Sequence, residues 1–378
     1  MEKLRKSLLN EQKNGYADLT DAQRAEMESY CQRYKAFMDT CKMEREATAW
    51  AVETAKANGF TEMVPGKEIK AGDKVYFNNR GKSILLAVIG SESLAEGANI
   101  CAAHVDSPRL DLKPNPLYED SEIAYAKTHY YGGVKKYQWA SIPLAIHGAV
   151  YRKDGEVVNV SVGEEENDPV FYITDLLIHL SADQLQKPAA KVIEGEQLNV
   201  VLGSEPLNGE GSDLVKLHIL KLLNEKYGIV EEDFLSAELC VLPAGKCREV
   251  GFDRSLLAAY GHDDRVCAYA ELESLFAIDT PKHTAICILA DKEEIGSVGV
   301  TGMQSQAFEY FMEMLCDAQG VSLRQCFANS FCLSADVSNG FDPNFAEVSD
   351  KRNNCKLGYQ SFKLLYRNSA DGKAELPF

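Results

Sequence analysis

The feature that most constrains this chain is an apolar run, residues 284–290 (TAICILA), that stops abruptly in DKEEIGS, residues 291–297. The run is short, rich in β-branched residues and free of polar alternation, the pattern of a strand buried on both faces. Acids at the carboxyl end of such a strand lie where open α/β sheets place their active sites. Glu293 and Glu294 are adjacent, so their carboxylates diverge, and one can hold a metal while the other handles a proton. A solvated acidic turn carries the same letters, because charge runs are usually surface. The company this segment keeps elsewhere in the chain decides between the two.

Ahead of it, residues 19–58 have apolar positions at helical spacing, including Met27, Tyr30, Tyr34, Phe37 and Met38. A capping box, Thr20 with Gln23, opens this stretch, a break is expected near Thr40, and Asn58-Gly59 closes it. Residues 74–78 and 83–90 read as a hairpin around Asn79-Arg80-Gly81. A strand over residues 99–103 then delivers His104 and Asp106 in HVDSPRL. A lone His after a strand is usually structural. An Asp two residues on changes that reading, since it can orient the imidazole as a metal-bound His requires.

From Asp111 to about Pro243 the text becomes short strands and turns, with a hairpin around residues 152–155 and a helix over residues 211–227. The Leu residues 214, 217, 220, 222 and 223 form that helix's expected apolar face. This is read as a β-rich domain inserted into an α/β catalytic domain. His179, in DLLIHLS, has core packing as its default role. The α/β character returns with a strand over residues 237–242, and Asp263-Asp264 precede a helical run over residues 266–276. Acids at a helix start also serve as caps. A helix over residues 304–316 and a strand over residues 330–335, ending at Asp336, follow.

His104, Asp263, Glu293, Glu294 and Asp336 therefore stand at strand ends or in the loops after them, from four separate segments. Independent caps and turns explain such a gathering poorly. Imidazole with carboxylates and no Cys suits zinc or a similar divalent ion. Two metals sharing one carboxylate would polarise a carbonyl and lower the pKa of a bridging water, with Glu293 as general base. The eleven Cys have no paired spacing and read as thiols of a reducing compartment, so the cytoplasm is expected. A net charge of −17, from 40 basic and 57 acidic residues, argues against nucleic acid or an anionic membrane as partner. No run in the sequence approaches a membrane span.

HVDSPRL, the Asp-Asp pair, DKEEIGS and SADVSNGFDPNF, in this order around an insertion, resemble the aspartyl aminopeptidase family, which includes vacuolar aminopeptidase I. The resemblance implies a three-layer α/β zinc-peptidase domain built from residues 1–110 and 244–358, interrupted by a β-rich oligomerisation and substrate domain at 111–243. It implies an aminopeptidase with two zinc ions that acts on peptides with acidic or apolar N-terminal residues. His104 and Asp336 would hold one zinc, Glu294 the other, and Asp263 would bridge. Glu293 matches the family's base, Asp106 the residue that orients the zinc-bound His, and His179 a His that contacts substrate in a neighbouring subunit. A homo-oligomer is implied, up to a tetrahedral dodecamer.

A deblocking-type aminopeptidase of the related family and a non-catalytic homologue are the competing readings. The chain departs from its family at the tail. The resemblance implies a further His ligand in a final segment, yet no His follows His283, and the family pattern fades after Tyr359. Residues 359–378 are therefore expected to be a truncated or frame-shifted end. A chain of this kind is expected to bind at most one zinc tightly, to have little activity and to aggregate. A divergent tail with His262 or water in the vacant position is the alternative.

Overall fold

The computed structural model describes residues 1–9 and 13–359, so the tail expectation lies almost wholly outside the described residues. The chain runs through β1 (Thr61–Glu62), β2 (Lys74–Asn79), β3 (Ser83–Val88) and β4 (Ala98–His104). It then enters a second sheet with β5 (Arg109–Asp120), β6 (Ile123–Tyr131), β7 (Leu144–Tyr151), β8 (Val157–Val162), β9 (Tyr172–Ile173), β10 (Val200–Gly203) and β11 (Ala237–Pro243). A small hairpin, β12 (Arg248–Val250) and β13 (Leu256–Ala258), leads back to β14 (Thr284–Ala290) and β15 (Phe331–Ser334).

The first sheet has the order β1-β2-β3-β14-β4-β15. β14 lies parallel to β4 and antiparallel to β3, and β15 is parallel to β4. Every residue of β14 is buried, as its unbroken apolar run requires. Ala285, Cys287 and Leu289 face a core shared with the helices Asp21–Thr40, Glu44–Ala57 and His262–Phe276. Ile286 and Ile288 face the opposite core, built with the helices Ala307–Gln319 and Leu323–Asn329. The period of two thus assigns alternate residues to two helical layers, giving a three-layer α/β domain.

The capping box at Thr20 and Gln23 is present, and the first long helix ends at Thr40. The helix after it starts at Glu44 and ends at Ala57. The helix expected from residue 304 starts at Ala307 and runs on to Gln319.

The inserted segment forms a seven-stranded sheet, β8-β7-β11-β5-β6-β10-β9, over its own apolar core. Its first strand begins at Arg109, two residues before the boundary drawn from sequence, so β5 follows directly on the short loop after His104. The helix Leu214–Tyr227 starts three residues later than expected and buries only Val215 fully. Leu217 and Leu222 are about half exposed, while Leu220 and Leu223 pack on the core. The apolar stripe is therefore narrower than the run of Leu residues suggests, because one sheet face can cover only part of the helix circumference.

Candidate metal centre

The strand β4 ends on His104, and β14, its parallel neighbour, ends beside it, with Ala290 paired to His104. Parallel alignment is what brings the two polar strand ends to one place. His104 is almost fully buried. Its Nδ1 lies 2.9 Å from the backbone carbonyl of Asp106, which as an acceptor requires a proton on Nδ1. Nε2 is thereby left to face the acids: 3.2 Å from Asp263 Oδ1, 3.9 Å from Glu293 Oε2 and 4.0 Å from Asp336 Oδ1. Burial works against a charged imidazole, and hydrogen bonds to Asp106 and Asp263 overcome it, pushing His104 up to about 11.

Glu293 and Glu294 sit in a single 3₁₀ turn, residues Glu293–Ile295, directly after the strand end. Lys292 enters it with a φ of 68°, and Gly296 N–H closes it by donating to the Glu293 carbonyl at 2.8 Å. The turn itself is held by Asp106, which is completely buried. Asp106 Oδ1 accepts the Glu293 N–H at 3.1 Å, and Oδ2 accepts the Glu294 N–H at 3.2 Å. Burial raises the Asp106 pKa, but hydrogen bonds from His104 and Tyr131 win and hold it below the usual value. Glu294 goes the other way: burial and the charge of Asp263 push it up to about 7.

Asp263 and Asp264 part company although they are neighbours. Their backbone is not helical, and Asp263 sends its carboxylate to His104, about half exposed. Asp264 is fully buried, and burial pushes its carboxyl up to about 6. The Asp263 loop is pinned from behind. Ser107 Oγ donates to the Asp263 carbonyl at 2.7 Å. The buried Arg265 guanidinium donates to the Lys42 and Tyr260 carbonyls at 2.9 and 3.0 Å. Gly261 makes room for it, since a Cβ there would stand 1.4 Å from Arg265 Nη2.

Two overlapping groups of potential metal donors result, each with its ligand atoms within 4.8 Å of one another: His104 with Asp263 and Asp336, and His104 with Glu293 and Glu294. One imidazole with several carboxylates, and no lysine or arginine ion-paired to them among the described residues, is a donor set that fits zinc. The structure therefore brings together His104, Asp106, Asp263, Glu293, Glu294 and Asp336. His262 stands elsewhere: its ring stacks on Tyr34 and its Nδ1 lies 2.7 Å from the Tyr34 hydroxyl, so it belongs to no donor group. His179 is also outside these groups and is exposed, on the short turn Ile178–Leu180. Core packing is not its role.

A family model described as aminopeptidase I zinc metalloprotease (M18) matches residues 37–363. This chain belongs to the M18 aminopeptidase family. A probable M18 family aminopeptidase 1 of Clostridium acetobutylicum is 51% identical over 360 residues, covering 93% of this chain and 77% of that protein. Its counterpart in Borrelia garinii is 44% identical, covering 92% of this chain and 77% of its own. Among solved structures, the M18 aminopeptidase of Thermotoga maritima superposes with a TM-score of 0.88 at 40% identity, over 93% of this chain and 78% of that one. Membership in M18 sets aside the deblocking-type reading.

Sequence reasoning missed Tyr131, Gly132, Ser107 and Arg265. HYYGGVKK and HVDSPRL contain three of them, yet nothing in either string says that Tyr131 rather than Tyr130 reaches Asp106 or that Ser107 pins the Asp263 loop.

Proposed function

We propose that this chain removes the N-terminal residue from peptides at a zinc centre, with acidic or apolar residues as the class to test first. The observation that carries this reading is the convergence of four carboxylates on one buried imidazole. His104, Asp263 and Asp336 would hold one ion, and Asp263 with Glu294 a second. When bound, the metal supplies Lewis-acid polarisation of the scissile carbonyl and a water of lowered pKa. Glu293 takes a proton from the attacking water and returns it to the leaving amine. Its carboxylate is about 40% exposed, so it can meet substrate. Asp106 holds His104 and the Glu293–Ile295 turn in place.

Residues 111–243 act in this reading as a separate domain for assembly and substrate access. Leu176, Leu177, Ile178, Leu180 and Leu185 are each between 52% and 68% exposed, an apolar surface that a second copy of the chain would cover. His179 lies within it and would reach the site of a neighbouring copy. No helix among the described residues is long and apolar enough to cross a membrane. Cys31, Cys41, Cys101, Cys240, Cys247, Cys267, Cys287, Cys316, Cys326 and Cys332 are free thiols, which fits the cytoplasm.

The test is Glu293→Gln compared with Glu294→Gln, assayed for zinc per chain and for hydrolysis of aminoacyl anilides. Glu293→Gln is expected to keep its metal and lose turnover by about 10²–10⁴-fold, while Glu294→Gln loses metal. The second donor group, which joins Glu293 to Glu294 on His104, names the rival outcome: metal lost with Glu293→Gln alone would exchange the two roles.

A further inference from the structure

The inserted sheet reaches the metal centre at the end of β6, through Tyr131 and Gly132. The buried Tyr131 hydroxyl donates to Asp106 Oδ2 at 2.7 Å. This is the same carboxylate that accepts the backbone N–H groups of Glu293 and Glu294. One carboxylate thus ties together the loop after β4, the turn after β14 and the insert. The tyrosine ring is itself fixed, with the Arg109 guanidinium centred 4.1 Å from it. Arg109 is in turn clamped by Glu44 at 2.9 Å and Asp111 at 2.8 Å. Gly132, with a φ of 72°, stands directly against Glu294. A Cβ there would lie 3.2 Å from Glu294 Cβ and 3.3 Å from its Oε2.

We propose that Tyr131 and Gly132 are positioning residues through which the inserted segment sets the carboxylates of Glu293 and Glu294. The proposal rests on the reading of Glu293 as base and Glu294 as metal ligand. Neither Tyr131 nor Gly132 touches the reacting atoms. Their effect passes through Asp106 and through the space left for Glu294. A buried carboxylate with four donors, His104 and Tyr131 beside the two amides, holds its partners in one geometry. Removing the donor that the insert supplies, Tyr131, frees the Glu293–Ile295 turn to shift, and small displacements of a base or ligand are costly in rate.

The experiment uses the full chain with Tyr131→Phe, Gly132→Ala and, as a control, Tyr130→Phe, whose ring stacks on His129 beside the exposed face of the same strand. Tyr131→Phe keeps the ring over Arg109 and deletes a single hydroxyl. Its kcat is expected to fall about 10–100-fold, the usual cost of an outer hydrogen-bond partner, with KM within about twofold. Amide exchange at Glu293 and Glu294 is expected to quicken about tenfold while the rest of the chain and the melting temperature hold. Gly132→Ala is expected to weaken zinc binding, measured by chelator competition, more than Tyr131→Phe does. Tyr130→Phe should change none of these.

Unchanged kcat and unchanged exchange at Glu293 and Glu294 in Tyr131→Phe would overturn the proposal. So would exchange that quickens uniformly through the chain, since that is simple destabilisation. If the unaltered chain hydrolyses no peptide, the functional reading fails, yet the local exchange still decides whether Tyr131 holds the turn.

Discussion

Two regions of this molecule gather carboxylates, and they treat them oppositely. Where the insert meets the catalytic domain, Glu44, Glu46, Glu164 and Glu238 each have a basic partner supplied by the chain. Glu44 is paired with Arg109 at 2.9 Å and Lys82 at 3.8 Å, and Glu238 with Lys82 and Arg45. His147 lies between Glu46 at 2.8 Å and Glu164 at 3.1 Å, and Lys42 stands 3.8 Å from Glu164. At the metal centre, Asp263, Glu293 and Asp336 share a single imidazole. The pKa shifts follow. Burial raises Glu164 and Glu238, but their basic partners overcome it and hold both below the usual carboxylate range. Glu294, equally hemmed in, is pushed up to about 7. The junction is complete as folded, whereas at the proposed metal centre no Lys or Arg among the described residues is ion-paired to Asp263, Glu293, Glu294 or Asp336. A structural acid and a functional acid differ here in who provides the positive charge.

The contrast can be broken most forcefully at the junction. Glu44→Gln leaves Arg109 buried with its main partner gone and is expected to cost about 3–5 kcal/mol, measured by urea unfolding. A loss below roughly 1 kcal/mol would mean that the pair behaves as a surface bridge. At the metal centre the same kind of change should have the opposite sign in the metal-free chain. Glu294→Gln removes an acid that burial and the charge of Asp263 already disfavour, so the melting temperature without metal is expected to rise. Zinc binding is expected to weaken by more than the roughly 10–100-fold that an outer partner costs, and calorimetric titration reads it directly. Loss of stability without metal would place Glu294 among the structural acids.

The smallest effect expected is in pH dependence. His147 is held by Glu46 and Glu164, which overcome burial and raise it from 6.5 to about 9. Its folded pKa exceeds its unfolded one, so its stabilisation is complete below about 6.5 and fades as pH climbs through about 9. Glu164 has a lowered folded pKa, so its contribution is present above the ordinary 4.5 and fades on acidification. Urea midpoints should therefore peak between about pH 5 and 6.5 and decline toward pH 9.5. In His147→Gln the decline between pH 6.5 and 9.5 should flatten. If it persists unchanged, another group carries it.

Much of this was legible in the letters. The apolar run of β14, the capping box at Thr20 and the polar endings of β4 and β15 are local patterns. Local patterns follow from side-chain period and hydrogen-bonding valence within a few residues. The strand-end acids were recognisable because catalytic groups in α/β sheets collect at carboxyl ends, whatever the packing details. The helix Leu214–Tyr227 was drawn too apolar on its buried side because sequence shows which residues are greasy, not how much of the helix a sheet will cover.

What the sequence by itself determined, then, was the main strands of the first sheet, the long helices packed on them, the acids at the strand ends and the family they belong to. What only the tertiary structure decided was which side chains meet across large separations. Tyr131 reaches Asp106 over 25 positions, and Asp106 holds the Glu293 amide over 187. No periodicity encodes such contacts. They depend on how two sheets dock, and docking is set by the sum of many apolar contacts and paired charges at the junction rather than by any one residue.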